Sequence, residues 1–107
     1  MTFGDRKEAA AEFARLAREN HGERIKEVIL YGSVARGQDT GDSDVDILVI
    51  SSNGGSSLQR TLSFLASDVS VQYGAEISVQ NYDLADFERF SDRSFFRIVR
   101  EEGIPIG

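Results

Sequence analysis

At 107 residues the chain has room for one hydrophobic core and not a second, so a single domain spanning residues 1–107 is expected. Its net charge is −6, and Lys and Arg are scattered rather than clustered, which argues against direct DNA binding through a broad basic face. The absence of Cys excludes disulfides, zinc thiolates and a thiol nucleophile together, while short apolar runs and the lack of a signal-peptide pattern predict a cytoplasmic protein with no membrane partner.

Residues 5–19 place Ala9, Ala10, Phe13, Leu16 and Ala17 on one stripe, the period of an amphipathic helix that Asn20 and Gly22 would stop. His21, the sole histidine, reads there as a solvated helix terminus rather than a ligand or base. Residues 25–31 are β-branched and aromatic and predict a strand delivering a Gly32-Ser33 turn, with a helical turn over 33–36 opened by Ser33 as its cap. Loop composition follows from Gln38 to Ser43, and residues 44–50 alternate into a second strand. Asp44 and Asp46 then share a face with Leu48 and Ile50, opposite Val45, Ile47 and Val49.

A polar, Gly-rich linker over 51–57 leads to a capping-box pattern, Ser56 with Gln59, and a helical stripe of Leu58, Leu62, Leu65, Ala66 and Val69. Residues 67–74 read as a loop, and a third strand is expected over 75–80 with Glu76 and Ser78 on one face. The tail offers Phe87 and Phe90, then a helix over 94–102 with Phe95, Ile98 and Val99 inward and Gly103 closing it. Ile104-Pro105-Ile106 is suited to a short edge segment, where Pro is tolerated.

The chemistry concentrates in Gly32, Ser33, Asp44 and Asp46. A Gly-Ser turn permits close backbone approach and supplies a hydroxyl donor for a triphosphate. Two carboxylates on one strand face could hold one or two divalent cations, and magnesium suits them because it accepts a few carboxylates together with water and phosphate oxygens. That set points to metal-assisted phosphoryl or nucleotidyl transfer. Glu76 is the candidate third carboxylate, able to help hold a metal and to accept the nucleophile's proton, against the plainer reading of a solvent-facing strand residue. Arg36 is a candidate phosphate contact, against the plainer reading of a surface ion pair with Asp39. As coincidence, the Gly-Ser and Asp-X-Asp pattern would arise about once in a thousand chains of this length, too rarely to be the preferred account.

The segments Tyr31-Gly32-Ser33-Val34-Ala35-Arg36-Gly37 and Ser43-Asp44-Val45-Asp46-Ile47-Leu48-Val49 closely resemble the signature of the nucleotidyltransferase superfamily that includes DNA polymerase beta and kanamycin nucleotidyltransferase. The short length and the ending Phe95-Phe96-Arg97-Ile98-Val99-Arg100-Glu101-Glu102-Gly103-Ile104 look most like the minimal nucleotidyltransferases of bacteria and archaea. The resemblance implies an α/β (α+β) nucleotidyltransferase fold: a mixed sheet of three to four strands with helices packed on one face. It implies ATP as substrate with Mg2+, two ions, across the Gly-Ser turn and the acidic strand. It further implies that Gly32 and Ser33 contact triphosphate and that Asp44 and Asp46 bind magnesium, while Glu76 departs from the commoner Asp. Minimal members often act as antitoxins that transfer AMP to a tyrosine of a HEPN-domain toxin, and this is the expected partner. Two alternatives stand beside it. Nucleotidylation of a small molecule would need an added helical domain or a homodimer to build the acceptor wall, and a non-catalytic module could neutralise a toxin by covering it.

Overall fold

The protein is described by a computed structural model over residues 3–38, 44–52 and 55–107. Helix α1 (Phe3–His21) runs through a 3-10 turn at Gly22–Arg24 into strand β1 (Ile25–Tyr31), and the short helix α2 (Gly32–Arg36) follows at once. Strand β2 (Val45–Ser51), helix α3 (Gly55–Tyr73), strand β3 (Ile77–Asp83), helices α4 (Leu84–Arg89) and α5 (Ser94–Glu102), and strand β4 (Ile104–Pro105) complete the chain. The sheet order is β3-β2-β1-β4, with β1 antiparallel to β2 and β4, and β2 parallel to β3. The mixed α/β architecture is the expected one.

The alternation read along β2 matches the packing. Val45, Ile47 and Val49 join Phe13, Ala14 and Ala17 of α1 and Leu58, Leu62 and Val69 of α3 in the larger core cluster. Leu48 and Ile50 belong instead to a smaller cluster with Ile29, Phe87 of α4, and Phe96 and Val99 of α5. The two long helices therefore cover one face, and the short α4 and α5 add a second, thinner cover that encloses the middle strands on both sides. Fully apolar runs in β1 and β2 follow from this two-sided burial.

Several local expectations are corrected. Residues 67–73 continue α3 rather than forming a loop, because Val69 is in register with the buried stripe and is itself buried. Gln59 does not complete a capping box. Its side chain crosses to β3, where Nε2 donates to the Val79 carbonyl (3.1 Å) and Oε1 accepts from the Asn81 amide (2.7 Å). Ser70 Oγ accepts from the Ile77 amide (3.0 Å) in the same manner, so α3 occupies hydrogen-bonding groups that the edge strand would otherwise expose. Strand β3 starts later than expected, at Ile77, and runs to Asp83, which caps α4 by accepting from the Ala85 amide (2.9 Å). In α5 the inward residues are Phe96 and Val99, while Phe95 and Ile98 are 40% and 47% exposed.

Gly103 ends α5 with φ −73°, so its role is not a left-handed cap. A side-chain carbon there would collide with the Val99 carbonyl and the Ile29 side chain, and the missing Cβ lets the tail reach β1. The edge segment then forms as β4, with Pro105 opposite Ile29 and Ile104 opposite Leu30. His21 is half-buried rather than solvated, and its Nε2 is buried with no hydrogen-bond partner among the described residues. Burial, aided by the nearby Arg24, pulls its pKa below the usual imidazole value. Among the described residues no helix is long and apolar enough to cross a membrane.

The division between the buried Phe87 and the exposed Phe95 is testable by denaturant unfolding. Phe87→Ala, which empties the centre of the smaller cluster, should cost about 3–5 kcal/mol, whereas Phe95→Ala should cost no more than about 1.5 kcal/mol through lost ring contacts. Equal losses would contradict this arrangement.

Candidate active site

The end of β1 and the start of β2 lie side by side, with Tyr31 opposite Asp46 in the antiparallel register. From Tyr31 the chain turns directly into α2 through Gly32, whose φ of +80° falls in the left-handed region. A Cβ at Gly32 would run into the Asp46 carboxylate. Glycine is thus required twice here, for the turn and for the close approach, and the two halves of the sequence pattern meet at this contact.

Ser33 lies inside α2 rather than capping it. The cap position is Tyr31, which is extended and makes no side-chain capping hydrogen bond. The Ser33 carbonyl accepts from the Gln38 amide (2.9 Å), and its hydroxyl is carried next to the Gly32 turn. Arg36, at the exposed end of α2, donates from Nε to Gln38 Oε1 (3.1 Å) and is close enough to attract the Asp46 charge. Asp39, the alternative partner considered for Arg36, lies outside the described residues with the rest of 39–43, as do 53 and 54 of the linker.

Electrostatically the site is a pair of neighbouring acids with Arg36 as a partial counter-charge. Burial pushes the Asp46 carboxyl above its ordinary value, the Asp44 charge pushes it further, and Arg36 opposes them in part. The Tyr31 hydroxyl is pushed up to about 12 by burial, with the charge on Asp46 and the neighbouring Tyr82 adding to it. Two neighbouring carboxylates, one of them partly buried, could hold a divalent cation, which would relieve the repulsion felt by Asp46.

Glu76 is placed differently. It precedes β3, is exposed, and its carbonyl accepts from the Val45 amide (2.8 Å). In the parallel register Asp46 stands beside Ser78, so the residue directly adjoining it on β3 carries a hydroxyl. Continued one pair further, the same register sets Glu76 beside Asp44. Among the described residues no group of three or more His, Asp or Glu side chains is placed to hold a metal ion together. Asp44 and Asp46 are gathered; Glu76 is not gathered with them.

Sequence reasoning passed over Tyr31 and Ser78. Tyr31 is signalled by its place immediately before Gly32, on the strand end that must face the carboxylates. Ser78 carries no signal of its own, because its position beside Asp46 depends on pairing between strands separated by the whole of α3.

A family model described as a nucleotidyltransferase domain matches residues 10–105. A relative from Methanocaldococcus jannaschii, named as a candidate protein adenylyltransferase, is 35% identical over 97 residues, covering 89% of this chain and 91% of the relative. Among solved structures, a candidate minimal nucleotidyltransferase superposes with a TM-score of 0.67 at 24% identity, covering 99% of this chain and 97% of that one. A tri-AMPylated Shewanella oneidensis HEPN toxin in complex with its MNT antitoxin matches with a TM-score of 0.56 at 16% identity, over 94% of this chain and 70% of the other.

Two outcomes follow for the site. In EDTA at neutral pH, Asp46→Asn should raise the thermal midpoint. A carboxyl whose folded pKa lies above its unfolded value keeps its full contribution below the unfolded pKa and loses it as pH rises through the folded one, so the difference should shrink on acidification. A lower midpoint for Asp46→Asn would refute the charge-repulsion account. Gly32→Ala should destabilise the protein by about 1–3 kcal/mol through backbone strain, and combining it with Asp46→Gly should recover the part caused by the collision.

Proposed function

Since this chain belongs to the nucleotidyltransferase domain family, we propose that it transfers AMP from ATP, with Mg2+, to a protein hydroxyl, the acceptor being a tyrosine of a HEPN-domain toxin. The observation that carries this reading is the seating of the Gly32 turn against the Asp46 carboxylate, which sets a phosphate-approachable backbone beside a paired acidic site. The protein-adenylyltransferase name of the Methanocaldococcus relative and the AMPylated toxin seen with the Shewanella antitoxin support the choice of acceptor.

In this mechanism the acceptor oxygen forms a bond to the α-phosphorus, the bond from that phosphorus to the bridging oxygen breaks, and pyrophosphate leaves. Gly32 brings backbone close to the phosphates, Ser33 donates its hydroxyl to them, and Arg36 balances their charge. Asp44 and Asp46 would hold magnesium, which supplies neutralisation of phosphate charge and acidifies the attacking hydroxyl. Glu76, two residues before the Ser78 that pairs with Asp46 and just ahead of β3, would take the released proton, and its longer side chain would have to extend toward the pair to add a ligand.

A second reading is favoured by one observation. With Ser78 beside Asp46 and Glu76 exposed before β3, the third carboxylate is out of line, which suits a module that neutralises a toxin by covering it. The two readings separate in one experiment with purified protein, α-labelled ATP, Mg2+ and the product of the neighbouring gene. Label should pass to a tyrosine of that partner, and Asp44→Asn should lower the rate by at least about a hundredfold. No transfer, with neutralisation retained by the Asp44→Ala, Asp46→Ala double variant, would establish the covering role instead.

A further inference from the structure

On the face of the sheet that carries Asp46, the aromatic side chains of Tyr31, Tyr82, Phe95 and Phe96 form a continuous group. Tyr31 and Phe95 meet edge to face with centroids 5.6 Å apart, Tyr82 and Phe96 at 4.9 Å, and Phe95 and Phe96 at 5.5 Å. Interplanar angles of 52° to 87° mean that none of these rings is stacked flat on another. Beyond them Tyr82, Phe90, Arg93, Phe95 and Phe96 line an open groove of about 350 Å³, within the size range of small-ligand sites. The Arg93 guanidinium lies over the Phe90 ring at 4.9 Å from its centroid.

This groove connects with the carboxylates rather than standing apart. Tyr31, whose ring touches Phe95, is the direct strand neighbour of Asp46. On β3 the residues paired with Asp46, Leu48 and Ile50 are Ser78, Gln80 and Tyr82, so one strand face leads from the acidic pair to the groove. Four strand residues span about 13 Å, the scale over which a nucleoside triphosphate extends from its phosphates to its base. Phe95 remains 40% exposed in this position, so part of its ring is open to a ligand.

We infer that this groove is the subsite for the planar base of the nucleotide, held by stacking on aromatic rings and on the Arg93 guanidinium plane. The inference rests on the nucleotidyltransferase reading of the acidic site and adds to it where the base lies. Stacking on rings and arginine planes is the usual means of holding an unpaired base, and it explains why an open, ring-lined groove carries a cation but no carboxylate among its lining residues.

The test compares Mg-ATP with Mg-tripolyphosphate, which lacks the base, by calorimetric titration. The wild-type protein should bind ATP more tightly than tripolyphosphate. Phe95→Leu and Arg93→Gln should each weaken ATP binding by about tenfold, the loss expected for one stacking contact, while tripolyphosphate binding stays unchanged. Unfolding midpoints close to wild type would show that both variants fold. Unaltered ATP affinity in both variants, with wild-type ATP binding intact, overturns the inference and leaves the nucleotidyltransferase reading standing. Weaker binding of an acceptor tyrosine peptide, with ATP affinity unaltered, overturns it in favour of an acceptor groove. Failure of the wild-type protein to bind either phosphate ligand overturns both readings together.

Discussion

The contact between Gly32 and the Asp46 carboxylate is the constraint around which the rest is arranged. A residue with a side chain at position 32 would displace the acid, and a β1 that ended one residue earlier or later would carry the turn past it. The antiparallel pairing of β1 with β2 sets that phase, and burial of both strands on both faces makes it costly to slip. A one-residue shift would send Val45, Ile47 and Val49 to the face of α5 and bring Asp46 into the larger core. The apolar alternation of β2 is thus what keeps an acidic side chain at the surface beside the turn.

The same logic explains why the molecule tolerates an unbalanced pair of acids. Asp44 is exposed, and Asp46 is half-buried beside Tyr31, with Arg36 offsetting its charge in part. Placing the charges at the end of β2 costs less than placing them in its middle, where both faces are dry. The net charge of −6 over the whole chain adds to the local repulsion.

Strong local patterns were readable in advance. Residues 25–31 and 94–102 form the expected strand and helix at the expected bounds, because β-branched residues end at a glycine in one and an amphipathic stripe is closed by a glycine in the other. The phase of β2 and the meeting of Gly32 with Asp46 were also legible, since both depend on short-range alternation and on a turn. What could not be read depends on distant partners. The stretch 67–73 alternates like a strand and is helical only because Val69 finds a place in the core against α1 and β2. Phe95 and Phe96 are equivalent in composition, and which of them turns inward is decided by Phe87, supplied by a helix whose stripe is too short to be recognised. Ser78 gains its meaning only from parallel pairing across α3.

The edge strand shows how far this small body relies on side chains that look ordinary in the sequence. β3 is an outer strand, and a parallel outer strand presents amides and carbonyls ready to pair with another chain. Gln59 and Ser70, eleven residues apart on α3 and thus three turns along one flank, satisfy three of those groups from the same helix that packs the core. Helix α3 therefore does two jobs with two kinds of residue: its apolar stripe buries the sheet face, and its polar flank closes the sheet edge. With that edge and one face covered, the Asp46 side of β3, where Ser78, Gln80 and Tyr82 stand in line, is the strand surface that remains open to solvent. The acidic pair lies at one end of that open surface and Tyr82 at the other, with the exposed Phe95 against both Tyr31 and Tyr82.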